Sequence, residues 1–178
     1  PLPVTAAPVV PRRIVATILL GTLLNPLNSS MIAVALVRLQ RDFDVGLVTV
    51  TWAVSAFYLG GAVGQPLMGR LADVFGPRRM FCAGWVVVGA AGVLVPLAPT
   101  FGWLVAGRVV QALGTSAAFP AGLAILRRCA PEGTTPTGAM AAVAMAASMS
   151  AALGPVVGGA LVVLVGWEAI FYVNTALA

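Results

Sequence analysis

Gly69-Arg70-Leu71-Ala72-Asp73-Val74-Phe75-Gly76-Pro77-Arg78-Arg79 is the stretch on which the reading of this chain turns. It sets four charges and two glycines between two long apolar runs, in a chain that is 60% hydrophobic and 8% charged. Charges this scarce, gathered in one connection, predict a polar turn between two spans that does more than join them.

The apolar runs on either side decide the class. Five acidic residues, ten arginines, no lysine and no histidine in 178 residues, with a mean hydropathy of +1.02, leave too little polar surface for a water-soluble globule. Runs of about 20 apolar residues recur, each long enough at ~1.5 Å per residue to cross a hydrocarbon core of about 30 Å. The chain reads as an all-α membrane protein with the lipid bilayer as its solvent. Residues 1–11 are proline-rich and read as a flexible tail; residues 12–178 read as a transmembrane bundle. The spans are expected over about 14–36, 49–68, 80–97, 103–126 and 138–165, with a sixth starting about 169. The first is expected to be interrupted at Asn25-Pro26-Leu27-Asn28-Ser29-Ser30 and followed by a polar loop holding Arg38, Arg41, Asp42 and Asp44. Pro99-Thr100-Phe101-Gly102 is expected to make a tight turn. A start at Pro1 and an end inside an apolar stretch read as a fragment.

Arginine placement orients the bundle. Arg12, Arg13, Arg70, Arg78, Arg79, Arg127 and Arg128 fall on one side, whereas Arg38 and Arg41 on the other are accompanied by Asp42 and Asp44. The positive-inside rule places the N-terminus and the 69–79 and 127–137 loops in the cytoplasm of a multi-pass cell-membrane protein. The same scatter of arginines between spans explains the net charge of +5 without a nucleic-acid partner. Cys82 and Cys129 belong to no metal-spacing pattern. There is no phosphate loop with a lysine and no histidine-based nucleophile or metal set, so the chain reads as no enzyme, with no catalytic residue, metal or cofactor.

Polar side chains inside spans are costly, which makes each a functional candidate. Arg108 lies about five residues into span four, and Gln111 and Thr115 share its helix face. This stripe faces the bundle interior, unless Arg108 snorkels to the outer surface. Asn25 and Asn28 flank Pro26 in span one and read either as packing or as part of a substrate path. No acidic residue lies near the middle of a complete span, so these spans offer no evident proton carrier. The many glycines read first as close helix packing.

Together these motifs resemble the major facilitator superfamily, and within it the drug:proton antiporters of the 14-span branch. The 69–79 stretch is similar to the signature loop between spans two and three, which in the family latches the two halves on the cytoplasmic side. Gly69 and Gly76 would permit its tight reversal, and Asp73 with Arg70, Arg78 and Arg79 would form charge pairs across the cytoplasmic ends of helices, where Asp73 can also face a helix N-terminus. Leu104-Val105-Ala106-Gly107-Arg108-Val109-Val110-Gln111-Ala112-Leu113-Gly114 resembles the span-four motif whose arginine is proposed to handle protons. Gly154-Pro155-Val156-Val157-Gly158-Gly159 resembles the span-five exporter motif, a helix bend with a glycine face. Trp167 to Asn174 resembles the outer segment before span six. Asn28 stands where many such antiporters carry an aspartate and cannot titrate; Glu168 stands where an arginine is usual.

The resemblance implies the N-terminal six-helix bundle of a major facilitator fold, cut short in the sixth helix. Its implied partners are a small-molecule substrate, a proton or other coupling ion, and the C-terminal half of the same protein. It implies drug efflux by alternating access, with Asn25, Asn28, Arg108 and Gln111 lining the path. A nutrient uptake carrier of the same fold, or a non-transporting scaffold or receptor, are the rival readings.

Overall fold

The computed structural model describes residues 12–129 and 137–178. The tail 1–11 and most of the 127–137 loop, including the side chains of Arg127 and Arg128, lie outside the described residues. The described chain folds into α1 (Arg12–Asp42), a one-turn α2 (Leu47–Val50), α3 (Trp52–Phe75), α4 (Pro77–Leu94) with a 3-10 extension (Val95–Leu97), α5 (Phe101–Cys129), α6 (Thr137–Leu164) and α7 (Glu168–Leu177). Leu47–Phe75, Pro77–Leu97 and Met140–Leu164 are long and apolar enough to cross a membrane. α1 and α5, at 31 and 29 residues, have the length as well.

Three connections are shorter than the sequence suggests, because helix hydrogen bonds are local and continue where hydropathy stops. α1 is not interrupted at 25–30: it runs through Pro26. The Ser29 and Ser30 hydroxyls donate back to the Pro26 carbonyl at 3.1 and 2.7 Å, which pairs both hydroxyls within the helix itself. Nor do Arg38, Arg41 and Asp42 lie in a loop. They form the last turns of α1, where Arg38 Nε meets Asp42 Oδ2 at 3.2 Å across one helical turn. The helix stops beyond them because Asp44 takes a left-handed conformation (φ 48°) and the Val45 N–H reaches back to the Gln40 carbonyl at 3.2 Å, a Schellman closure.

The 69–79 stretch changes most. α3 continues to Phe75 and α4 begins at Pro77, so the expected polar turn contracts to Gly76 alone, at φ 90°. Gly69 is a helical residue, and the reversal does not use it. A residue without a Cβ makes the turn, and Pro77 presets the first φ of the next helix. The expected turn at Pro99–Gly102 is likewise cut short by α5 starting at Phe101.

Small residues set the packing, as expected where lipid supplies no hydrophobic drive. Gly60 and Gly64 of α3 lie against Ala112 and Ser116 of α5, and a Cβ on either glycine would come within 3.1 and 2.8 Å of them. α4 crosses α5 at Gly84 and Gly114, each so close to the other's carbonyl that a Cβ would approach it to 2.6 or 2.9 Å. α1 is seated mainly on α6. At the end opposite Gly76, Phe43 stacks edge-on with Phe101 (5.8 Å) and tilts on Trp167 (5.7 Å). These rings tie three connections together over a core of Met31, Ile32, Leu39, Leu104, Ile170 and Phe171.

Candidate functional site

Arg108 is the largest fully buried side chain among the described residues. Seven residues into α5, it is fully buried, so the guanidinium turns inward and does not snorkel to the surface. Its Nη1 donates to Asn28 Oδ1 and to Gln111 Oε1, both at 2.8 Å. Its Nε donates to the Ala53 carbonyl of α3 at 3.1 Å. The planar cation also lies over the Phe57 ring at 4.3 Å and faces Phe171 at 5.9 Å, a cation–π arrangement strengthened by the absence of water. Four helices thus converge on one charge.

The partners are neutral. The five acidic residues are Asp42, Asp44, Asp73, Glu132 and Glu168, and the ion pair among the described residues is Arg38–Asp42 at the surface. The Nη2 of Arg108 and the Nε2 of Gln111 are buried with no hydrogen-bond partner among the described residues. Orphan donors at zero exposure are expensive and call for an explanation.

A cavity of about 430 Å³ lies among α1, α3, α5 and α6, and its lining does not include Asn28, Arg108 or Gln111. Its polar lining is Ser29, Ser30, Tyr58, Gln65 and Thr115. Ser29 adjoins Asn28, Tyr58 adjoins Phe57, and Thr115 lies one turn beyond Gln111, about 6 Å along the same helix face.

The residues singled out from sequence separate into three groups. Asn28, Arg108 and Gln111 come together, while the side chain of Asn25 lies outside the described residues. Arg70, Asp73, Arg78 and Arg79 are exposed around Gly76, and Asp73 has no ion-pair partner among the described residues. Gly154 and Gly158 face α1. A Cβ at Gly154 would collide with Ser30 Oγ, and one at Gly158 would come within 2.7 Å of Met31 Cα. Pro155 points away from α1, exposed, and Gly159 has room, with Val34 Cγ1 at 3.7 Å.

Sequence reasoning missed Ala53, whose carbonyl leaves no trace in composition, and the rings of Phe57 and Phe171. It also passed over Gln65 and Asn174. Both are polar residues inside apolar runs, and that signal could have found them. Asn174 is buried on α7 with both amide atoms unpartnered among the described residues.

Comparison with known proteins accounts for this architecture. The chain is 44% identical over 154 residues to YwoD of Bacillus subtilis, named as an uncharacterized transporter of the same superfamily type; the match covers 86% of this chain and 34% of that protein. It is 34% identical over 155 residues to the multidrug resistance protein Stp of Mycobacterium tuberculosis (87% of this chain, 29% of that protein). With the tetracenomycin C resistance and export protein of Streptomyces glaucescens it shares 32% identity over 154 residues (86% and 28%). The chain therefore spans about a third of the length of the curated relatives it matches. These names denote transport and resistance proteins, not enzymes. The family model of the Major Facilitator Superfamily matches residues 18–178, and the chain belongs to that superfamily.

Proposed function

We propose that the full-length protein exports small amphiphilic compounds by alternating access across the cell membrane, with this chain contributing the N-terminal bundle. The observation that carries the reading is the buried Arg108–Asn28–Gln111 hub, in a bundle that also holds a largely apolar cavity with a few polar side chains. A membrane bundle kept only for packing has no need of a desolvated cation, whereas substrate and ion paths do. In transporters built from paired repeats the site lies near the bilayer midplane between the halves. This chain supplies one wall of it, with Asn25 assigned to that wall beside Asn28. The multidrug-resistance and export names of two relatives support the outward direction.

The seven arginines at the Gly76 end support a cytoplasmic N-terminus. Asp73, Arg70, Arg78 and Arg79, carried on two helix ends joined by one glycine, act as the cytoplasmic gate by pairing with groups of the other half. Gly154 and Gly158 with Pro155 let α6 and α1 move as a close-packed pair. A proton or other ion drives the cycle, and its carrier sits in the remainder of the full-length protein, because Asn28 cannot titrate.

The test uses membrane vesicles containing the full-length protein and a panel of amphiphilic dyes. Energised inside-out vesicles accumulate dye if the reading is right. Accumulation in right-side-out vesicles instead makes the protein an uptake carrier. Movement of no compound, with retention of a protein partner, makes it a scaffold.

A further inference from the structure

We propose that the Arg108 hub is an anion-selecting subsite: the transported amphiphile carries a carboxylate or a comparable single-charged acceptor group, which Arg108 Nη2 and Gln111 Nε2 receive. The inference rests on the transporter reading and narrows its substrate class.

Three observations converge. First, the charge of Arg108 is uncompensated among the described residues. Its hydrogen-bond partners are an asparagine, a glutamine and a main-chain carbonyl, and no aspartate or glutamate lies inside a described helix between its first and last turns. A cation buried without a counter-charge creates a positive potential that water does not screen.

Second, the unsatisfied groups are donors with matching chemistry. Arg108 Nη2 and Gln111 Nε2 are fully buried and unpartnered among the described residues. They belong to two side chains already joined through Arg108 Nη1 and Gln111 Oε1 at 2.8 Å. One guanidinium donor and one amide donor, held together in this way, suit an oxygen acceptor bearing negative charge. A cationic group would meet like charge and no acceptor.

Third, a cavity lies on the same helices as the hub: Thr115 of its wall is one turn from Gln111 on the same face of α5. In the proposal the body of the amphiphile occupies this cavity and its charged head passes along that face of α5 to Gln111 and Arg108. The aromatic and small apolar groups around it exclude water, so the charge-assisted bond is retained at high strength.

The test is equilibrium binding to the purified full-length protein in nanodiscs, with benzoate and benzyltrimethylammonium as probes of opposite charge on one ring, and benzamide as the neutral control. Wild type is expected to bind benzoate at least tenfold more tightly than benzyltrimethylammonium, a difference of ~1.4 kcal/mol or more. Asn28→Asp places a carboxylate where Oδ1 now accepts from Nη1, neutralises the guanidinium internally, and is expected to erase or reverse that ratio. It keeps the size and the hydrogen bond of Asn28, so a folded protein with a changed ratio is an informative result. Arg108→Gln is expected to reduce benzoate binding to the level of benzamide.

Equal or tighter binding of the cation by wild type overturns the proposal, as does an unchanged ratio in Asn28→Asp. Absence of benzoate binding also overturns it. Dye export with no preference for charge leaves the transporter reading standing and removes only this inference. Arg108-dependent benzoate binding without transport of any compound removes the transporter reading and leaves the hub as an anion-binding site alone.

Discussion

Asn28 Oδ1 accepts a hydrogen bond from Arg108 Nη1 at 2.8 Å across 80 residues of sequence, joining α1 to α5 inside the membrane bundle. The contact is fully desolvated, with Asn28 1% and Arg108 0% exposed. It is therefore a structural tie between two helices made at the buried cation itself.

Replacing Asn28 by Leu removes the acceptor while keeping the branched four-atom outline of the side chain. The variant is expected to lose about 1.5–3 kcal/mol of stability, the value of a hydrogen bond to a charged group. Unfolding of the full-length protein by denaturant titration in mixed micelles measures it, with Asn28→Asp as the variant that retains the bond.

The α1–α6 seam makes a contrast between neighbouring glycines. Gly158→Ala forces a Cβ to within 2.7 Å of Met31 Cα and is expected to cost about 1–3 kcal/mol. Gly159→Ala meets Val34 Cγ1 at 3.7 Å, an ordinary contact, and is expected to stay within about 0.5 kcal/mol of wild type. The same micellar titration distinguishes them.

A second glycine contrast tests the contracted turn. Gly76 has φ 90°, and a Cβ there would meet nothing within 4 Å, so Gly76→Ala costs backbone strain of about 1–3 kcal/mol despite the open space. Gly69→Ala, inside α3 and 4.0 Å from Pro120 Cβ, is expected to be neutral or to gain about 0.5–1 kcal/mol from helix propensity. If both behaved as turn residues, the continuous helix to Phe75 would be wrong.

These contrasts mark what was legible in the sequence. Hydropathy and the resemblance carried the all-helical class and the superfamily. Arg108 and Gln111 were legible as a pair because i and i+3 share a helix face. Neither Asn28 nor Ala53 could be assigned as a partner of Arg108, since contacts across 80 and 55 residues depend on which helices pack. The 69–79 stretch was misjudged for a physical reason: charges end an apolar run but do not end a helix, and only the backbone at Gly76 does. Glycine counting announced close packing without saying that Gly154 and Gly158 press against α1 while Gly159 leaves room for a Cβ beside Val34.

Asp73 tests the proposed gate. It is exposed and without an ion-pair partner among the described residues, so Asp73→Asn is expected to leave folding stability within about 0.5 kcal/mol of wild type. Export by the full-length protein should fall severalfold at equal membrane abundance. Unchanged export would remove Asp73 from the gate.

The central claim is that the desolvated Arg108 hub belongs to the transport path. Its most direct test is initial-rate export by the full-length protein in proteoliposomes, comparing wild type with Arg108→Gln at equal amounts of folded protein. The account predicts at least a tenfold loss of rate, equivalent to ~1.4 kcal/mol of barrier. An undiminished rate from a correctly folded Arg108→Gln protein would contradict it.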